Sequence, residues 1–214
     1  MKKPAVAKRN PEDTRRRLLQ AARTVFSKRG LEGARVDDIA GLAGVNKQLV
    51  YYHFGNKQQL YLAVLEETYA KIRAEELQLD LAHLRPRQAM EQLICFTFDY
   101  YTKNPDFVPL LSDENLHEAR NLRQSKIIQQ LHSPLVEMIG ETLRRGQRSG
   151  DFAMDVDPVQ LYITIAGMGF FYYSNTHTLS VIFGRNLGAK AAVKTRRKHV
   201  IEFVMGALQA PPVA

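Results

Sequence analysis

The sequence predicts an all-α protein, with an N-terminal three-helix helix-turn-helix domain followed by a larger C-terminal helical domain. Three observations carry this. Apolar residues recur at helical spacing in almost every segment. Strand-like alternation bounded by turn pairs is scarce. No segment shows the glycine-rich turn that cradles phosphate between a strand and a helix.

The elements follow in order. A first helix is predicted over residues 12–29, with Asp13 or Thr14 as its cap and Gly30 as its stop. Leu18, Ala22, Val25 and Phe26 fall on one of its faces. A short helix over 36–43 ends at Gly44, which can take the positive φ of a tight turn. A third helix spans 46–54, broken by Gly55-Asn56. A fourth runs over 57–79. Further helices are expected over 86–102, 107–116, 118–146, 158–183 and 193–210. Pro134 should break or kink the helix that holds it. Pro158 opens the next at its first turn.

Composition removes several classes. Of the 214 residues, 45% are apolar and 24% charged, which excludes collagen-like, mucin-like and wholly disordered chains. The single cysteine, Cys95, cannot make an internal disulfide. A chain without bridges suits a reducing cytoplasm. The most apolar run, 161–173, is too short to span a bilayer and is read as a buried helix. No membrane association is expected.

Charge is unevenly spread. The first 57 residues hold 13 of the 30 Lys and Arg but only 5 of the 22 Asp and Glu, so they carry the whole net charge of +8. A basic head on a neutral body points to a polyanion-binding head. The domain reading is therefore a basic arm (1–11), a helix-turn-helix domain (12–57), a helical sensing and dimerising domain (58–210) and a disordered tail (211–214).

The segment from Val36 to Phe54 carries the functional signal. Two short helices that cross steeply need small residues at their contact, and Ala40 and Ala43 supply them. Gly44 makes the turn, while Ile39, Val45 and Val50 fill the space between. In such a unit the second helix enters the DNA major groove. Val50 and Phe54 point into the domain. Lys47, Gln48, Tyr51 and Tyr52 lie on the other side. Gln can pair with adenine, and Lys can donate to guanine. Leu49 sits among them. His53 and Lys57 are placed to reach phosphates, and Arg15, Arg16, Arg17 and Arg35 add positive charge at helix starts, with Thr14 beside them.

These residues carry a resemblance. Thr14-Arg15, Leu18-Leu19, Ala22, Val25-Phe26, Gly30, Ile39-Ala40, Ala43-Gly44-Val45, Val50-Tyr51-Tyr52-His53-Phe54, Asn56-Lys57 and Leu60 resemble the DNA-binding domain of the tetracycline-repressor (TetR/AcrR) family in order and spacing. The resemblance implies an all-helical homodimer that acts as a ligand-relieved repressor. It implies that Tyr51, Tyr52 and Lys57 contact DNA, mostly phosphates, and that Lys47 and Gln48 approach base edges. Where the family usually has Ser or Thr at the start of the second helix, this chain has Arg35-Val36.

The C-terminal part is read from its residues. The last two long helices are unusually apolar, with Ala166, Gly167 and Gly169 allowing close approach, and are expected to pair with a second copy. Polar groups set within apolar stretches mark an expected small-molecule pocket: Cys95, Phe98, Asp99, Asn115, His117, Gln129, Met168, Phe171, Tyr172, Asn175 and His177. The leading function is a DNA-binding repressor released from a palindromic operator by a small molecule. The alternatives are a redox-responsive regulator using Cys95, a non-specific DNA-binding protein and a helical enzyme. No catalytic motif or metal-ligand spacing occurs. Gly184 to Lys190 has the wrong spacing for a phosphate loop. No catalytic residue, cofactor or metal is expected.

Overall fold

The structure is a computed structural model. It describes residues 10–209, without the side chains of 129 and 131–133. Most of the expected arm and tail therefore lies outside the described residues, as does the Gln129 side chain. Among the described residues there are ten α-helices, one 3₁₀ turn and no strand.

The first four helices are α1 (Pro11–Gly33), α2 (Val36–Ala43), α3 (Gln48–Phe54) and α4 (Lys57–Leu77). Neither Asp13 nor Thr14 caps α1. Asn10 does, accepting from the Glu12 N–H at 3.0 Å, and Pro11 then takes the first helical position, where its missing donor costs nothing. Gly30 does not end α1 but kinks it, at φ 65°. Gly44 closes α2 in the left-handed region, as expected, at φ 64°. Arg35 gives α2 no side-chain cap. α3 begins two residues later than its sequence suggests, because Asn46 stays outside and accepts from the Gln48 N–H at 2.9 Å.

Next come α5 (Pro86–Lys103), α6 (Phe107–Leu116), a 3₁₀ turn (Leu122–Gln124) and α7 (Ile128–Ser149). The helix expected from residue 118 starts ten residues later. Glu118 and Ala119 both have φ of 57°, which no right-handed helix accommodates. The buried Glu114 carboxylate instead holds Asn121 and Leu122, accepting their N–H groups at 2.7 and 2.8 Å. α7 passes through Pro134 without ending there. Pro134 is exposed and near the helix start, so the carbonyl it leaves unpaired reaches water.

The chain closes with α8 (Pro158–Ser174), α9 (Thr176–Ile182) and α10 (Lys190–Gln209). The single helix expected over 158–183 is thus divided at Asn175, whose side chain turns back to the Phe171 carbonyl at 2.9 Å. α8 is capped by Asp157, which accepts from the Gln160 N–H.

The chain divides into two compact units. One holds residues up to 68 together with 109–125, and the other holds 69–108 and 126 onward. The helix-turn-helix is therefore not compact alone: its unit also takes in the first part of α4, most of α6 and the 3₁₀ turn. Its core joins Leu18, Phe26, Ile39, Val50, Leu60, Tyr61 and Leu110. In the second unit α5 packs against α7, α8 and α10, around Met90, Ile94, Phe98, Ile139, Ile165 and Val204. No helix among the described residues is long and apolar enough to cross a membrane.

Candidate nucleic-acid interface

The recognition helix is positioned by two buried side chains. Val50 and Phe54 are one turn apart on α3 and are buried in the unit's core. This turns the opposite face outward. Lys47, Gln48, Tyr51 and Tyr52 are all exposed, with Tyr52 at 78%. Two exposed tyrosines on a seven-residue helix present phenol edges and ring faces to a partner. Leu49 is half-buried and packs against the core, so it supports α3 and does not reach out. His53 is half-buried and meets the Tyr52 ring edge-on at 5.1 Å.

The basic residues divide into free and engaged groups. Arg35 is exposed. Arg15 is exposed with its guanidinium over the Phe54 ring, 5.2 Å from the centroid. Arg16 pairs with Asp13 at 2.5 Å, and Lys47 with Asp37 at 3.2 Å. These exposed pairs are weak and exchange readily for phosphate. Arg17 and Lys57 differ. Arg17 donates to the Ala43 and Gly44 carbonyls at the end of α2. Lys57 donates to the Ala34 carbonyl at 3.1 Å and lies 3.4 Å from that of Glu32. Both cations close the loops that hold the helix-turn-helix. Thr14 is buried, unlike the arginines that follow it.

A third feature of this unit has no counterpart in the sequence reading. The kink at Gly30 leaves the buried Leu31 N–H outside the helical ladder, and Asp113 of α6 accepts it at 3.0 Å. The same carboxylate oxygen accepts from the Tyr61 hydroxyl at 2.9 Å. Burial, with Asp113 beside it, holds the Tyr61 phenol well above its ordinary pKa, so it stays a donor. Glycine suits residue 30 because φ is 65°, and a Cβ there would also lie 2.4 Å from the Asp113 carboxylate, which would have to move. The spacing signal is faint: one acid among ordinary helical polar residues.

The expected ligand residues are divided between the two units. Asn115 and His117 belong to the helix-turn-helix unit. Asn115 bonds back to the Leu111 carbonyl, and His117 to that of Asp113. In the second unit, Phe98 and Tyr172 are core residues, their rings 6.2 Å apart. Tyr172 also donates to the Leu187 carbonyl. Asp99 is held by Arg197 through two bonds of 2.7 and 2.9 Å. Met168 is half-buried, Asn175 caps the end of α8, and Phe171 and His177 are exposed. The break at Asn175 places Phe171 on α8 and His177 on α9, where one helix was expected. Cys95 is half-buried. Burial pushes its thiol up, against the pull of Arg197, so the reactive thiolate is disfavoured. The redox alternative has no support. Among the described residues no cluster of His, Cys, Asp or Glu could hold a metal ion.

Comparison with known proteins agrees with this geometry. Residues 18–64 match the family described as bacterial regulatory proteins, tetR family, and residues 86–204 match the tetracyclin repressor-like C-terminal domain. The chain is 37% identical over 191 residues to the HTH-type transcriptional repressor NicS of Pseudomonas putida, covering 89% of this chain and 90% of that one. It is 25% identical over 197 residues to the repressor KstR2 of Rhodococcus jostii, covering 92% of each. Among solved structures, a putative transcriptional regulator of Streptomyces coelicolor, SCO4942, superposes with a TM-score of 0.67 at 23% identity, covering 92% of this chain and 99% of that one. AibR, in complex with isovaleryl coenzyme A and operator DNA, also superposes at 0.67, with 18% identity over 89% of this chain and 97% of its own. With both halves matched and a relative above one-third identity along nearly its whole length, this chain belongs to the TetR family of bacterial transcriptional regulators.

Proposed function

We propose that this protein is a homodimeric repressor that binds a near-palindromic operator and leaves it when a small molecule binds its C-terminal unit. The observation that carries the DNA half is the outward face of α3, where Lys47, Gln48, Tyr51 and Tyr52 stand exposed above a rigid buried seam of Val50 and Phe54. Gln48 and Lys47 read base edges. Tyr51, Tyr52, Arg15, Arg16 and Arg35 hold phosphates and set the register. Two such helices enter successive major grooves about 34 Å apart.

The dimer reading is supported by one face of α8 and α10. Ile163, Phe171 and Phe203 are exposed there, and Gly167 and Gly206 have nothing within 4 Å of where a Cβ would stand. An apolar face with room for close helix approach favours a second copy. The effector reading is supported by likeness of fold to AibR, whose crystal structure is a complex with isovaleryl coenzyme A and operator DNA. Relief requires the effector to favour the non-binding state by a few kcal/mol.

Selection of bound fragments from genomic DNA tests the proposal directly. A recurrent near-palindrome is expected, with a preference of about 10³-fold or more over random sequence. Lys47→Ala and Gln48→Ala should each relax one base position per half-site. Unchanged preference in both variants would remove the base-reading assignment. Uniform affinity for all sequences would favour the non-specific alternative. Phe171→Asp with Phe203→Glu should yield monomers in sedimentation; an intact dimer would move the interface elsewhere.

A further inference from the structure

The second unit contains a buried ion pair that its surroundings leave unsatisfied. Arg73 and Glu76 lie one turn apart on α4, at 4% and 1% exposure. Arg73 Nη1 and Glu76 Oε2 are 2.8 Å apart, yet neither atom meets hydrogen-bond geometry. Among the described residues, five buried side-chain polar atoms lack a hydrogen-bond partner. Four of them are here: Arg73 Nε and Nη1, and both carboxylate oxygens of Glu76. Buried polar groups in folded proteins are almost always satisfied, and each exception calls for a cause. An isolated ion pair of this kind gains little stability for the fold, because desolvation offsets the attraction.

The surroundings are aromatic. The Arg73 guanidinium stacks over the Tyr162 ring of α8, 5.5 Å from its centroid, and donates to the Tyr162 hydroxyl at 3.2 Å. Tyr101 of α5 is buried alongside, its hydroxyl on the Ala166 carbonyl at 3.1 Å. Burial pushes its phenol up, with Tyr162 and Tyr69 adding to the effect and Arg73 opposing it. Phe107 meets Tyr101 at 5.9 Å and Tyr69 at 6.2 Å. Tyr162 thus engages one face of the guanidinium and its Nη2, while Nε and Nη1 have no hydrogen-bond partner.

We propose that Arg73 and Glu76, with Tyr101 and Tyr162, form the polar end of the effector site. The ligand is a small ring-bearing molecule that carries a hydrogen-bond acceptor beside a donor on one edge. The chemistry follows from the unsatisfied atoms. The two on Arg73 can only donate, and the two on Glu76 accept while it is ionised. A simple anion would satisfy Arg73 and meet repulsion from Glu76, and a simple cation the reverse. An edge with an acceptor next to a donor, as in a lactam or amide, satisfies both. The rings of Tyr162 and Tyr101 then flank the ligand's plane. Glu76 is pushed up to about 7 by burial, against the pull of Arg73, so its carboxylate accepts, and the preference for an acceptor beside a donor holds, above that pH. This assignment rests on the effector-relieved reading and replaces the scattered residues first expected to line the pocket.

The test is calorimetry and thermal melting of the full chain with three probes at millimolar concentration. 2-Pyridone presents adjacent N–H and C=O, benzoate presents acceptors only, and benzylamine presents donors only. Binding of 2-pyridone in clear preference to the other two is expected. Arg73→Met and the isosteric Glu76→Gln should each weaken it by about tenfold, the loss that follows when a buried charged partner is removed. Tyr162→Phe keeps the ring and frees Arg73 Nη2, the one guanidinium nitrogen that the hydroxyl engages, as a further donor, so it should bind 2-pyridone several-fold more tightly. A purely structural ion pair would not produce that gain. Ordered water as the only occupant predicts no probe binding in wild type or Tyr162→Phe, and that outcome overturns the proposal, as does equal binding of all three probes. Operator release is measured separately. Probe binding without release would keep this site and overturn the relief mechanism. An effector whose release of DNA is unchanged in Arg73→Met and Glu76→Gln would keep the mechanism and overturn this site.

Discussion

At the residue scale, the cations of the helix-turn-helix do two kinds of work. Arg35 stands exposed, as does the uncharged Tyr52 with its ring against His53, whereas Lys57 and Arg17 spend their donors on backbone carbonyls of the same unit. This separates two variants that sequence alone treats as equivalent. Tyr52→Ala should weaken operator binding with the melting temperature unchanged. Lys57→Ala should lower stability by about 1 kcal/mol, since a charged donor leaves its carbonyls. It should also flatten the salt dependence of binding by about one unit wherever the ammonium still faces phosphate. Paired melting and filter-binding curves measure both. An unchanged salt slope in Lys57→Ala would make that lysine purely structural. Asp113 shows the same principle, since one carboxylate satisfies both the N–H freed by the Gly30 kink and the Tyr61 hydroxyl.

At the element scale, tight contacts set where helices lie. α5 approaches α8 through Gly169, where a Cβ would stand 2.5 Å from the Tyr101 ring. Gly169→Ala should therefore destabilise the second unit by roughly 1–3 kcal/mol, the usual range for an overpacked core, although alanine is the better helix former. Urea denaturation measures it, and a gain in stability would show that Tyr101 moves freely. Helix cores were legible in the sequence because 3.6-residue periodicity survives any tertiary context, and α2 and α6 fall within the expected limits. Ends were less legible. Asn10 rather than Thr14 caps α1, and two positive φ values at Glu118 and Ala119 delay α7. The first is a choice among neighbouring caps, with Asn10 bonding only two residues on, and the second turns on the buried Glu114 carboxylate that holds the 3₁₀ turn.

At the scale of the whole molecule, the buried Glu76 makes stability depend on pH. Its folded pKa, raised to about 7 from 4.5, means the native state keeps a proton that the unfolded chain has lost. Stability from this group is therefore greatest at acid pH and declines as pH rises from about 4.5 to 7. Arg73 limits the decline, and Tyr101 and Tyr162 are the other groups beside it. Glu76→Gln should remove this decline, so that the variant gains on wild type by up to a few kcal/mol between acid and neutral pH. Chemical denaturation at several pH values reads it directly; parallel wild-type and variant curves would show that Glu76 titrates normally.

The sequence alone determined the all-helical class, the helix-turn-helix, its outward face and the concentration of charge in the first 57 residues. Each depends on local spacing, on which residues stand three or four apart and where a glycine permits a turn. Tertiary structure decided which cations are free, which acid meets the α1 kink and which polar groups are buried together. Tyr69, Ile72, Arg73 and Glu76 do share helical spacing on α4, but periodicity cannot tell a solvated charge from a buried one. That distinction arises only when the second unit packs together, burying the pair and bringing Tyr162 of α8 over the Arg73 guanidinium.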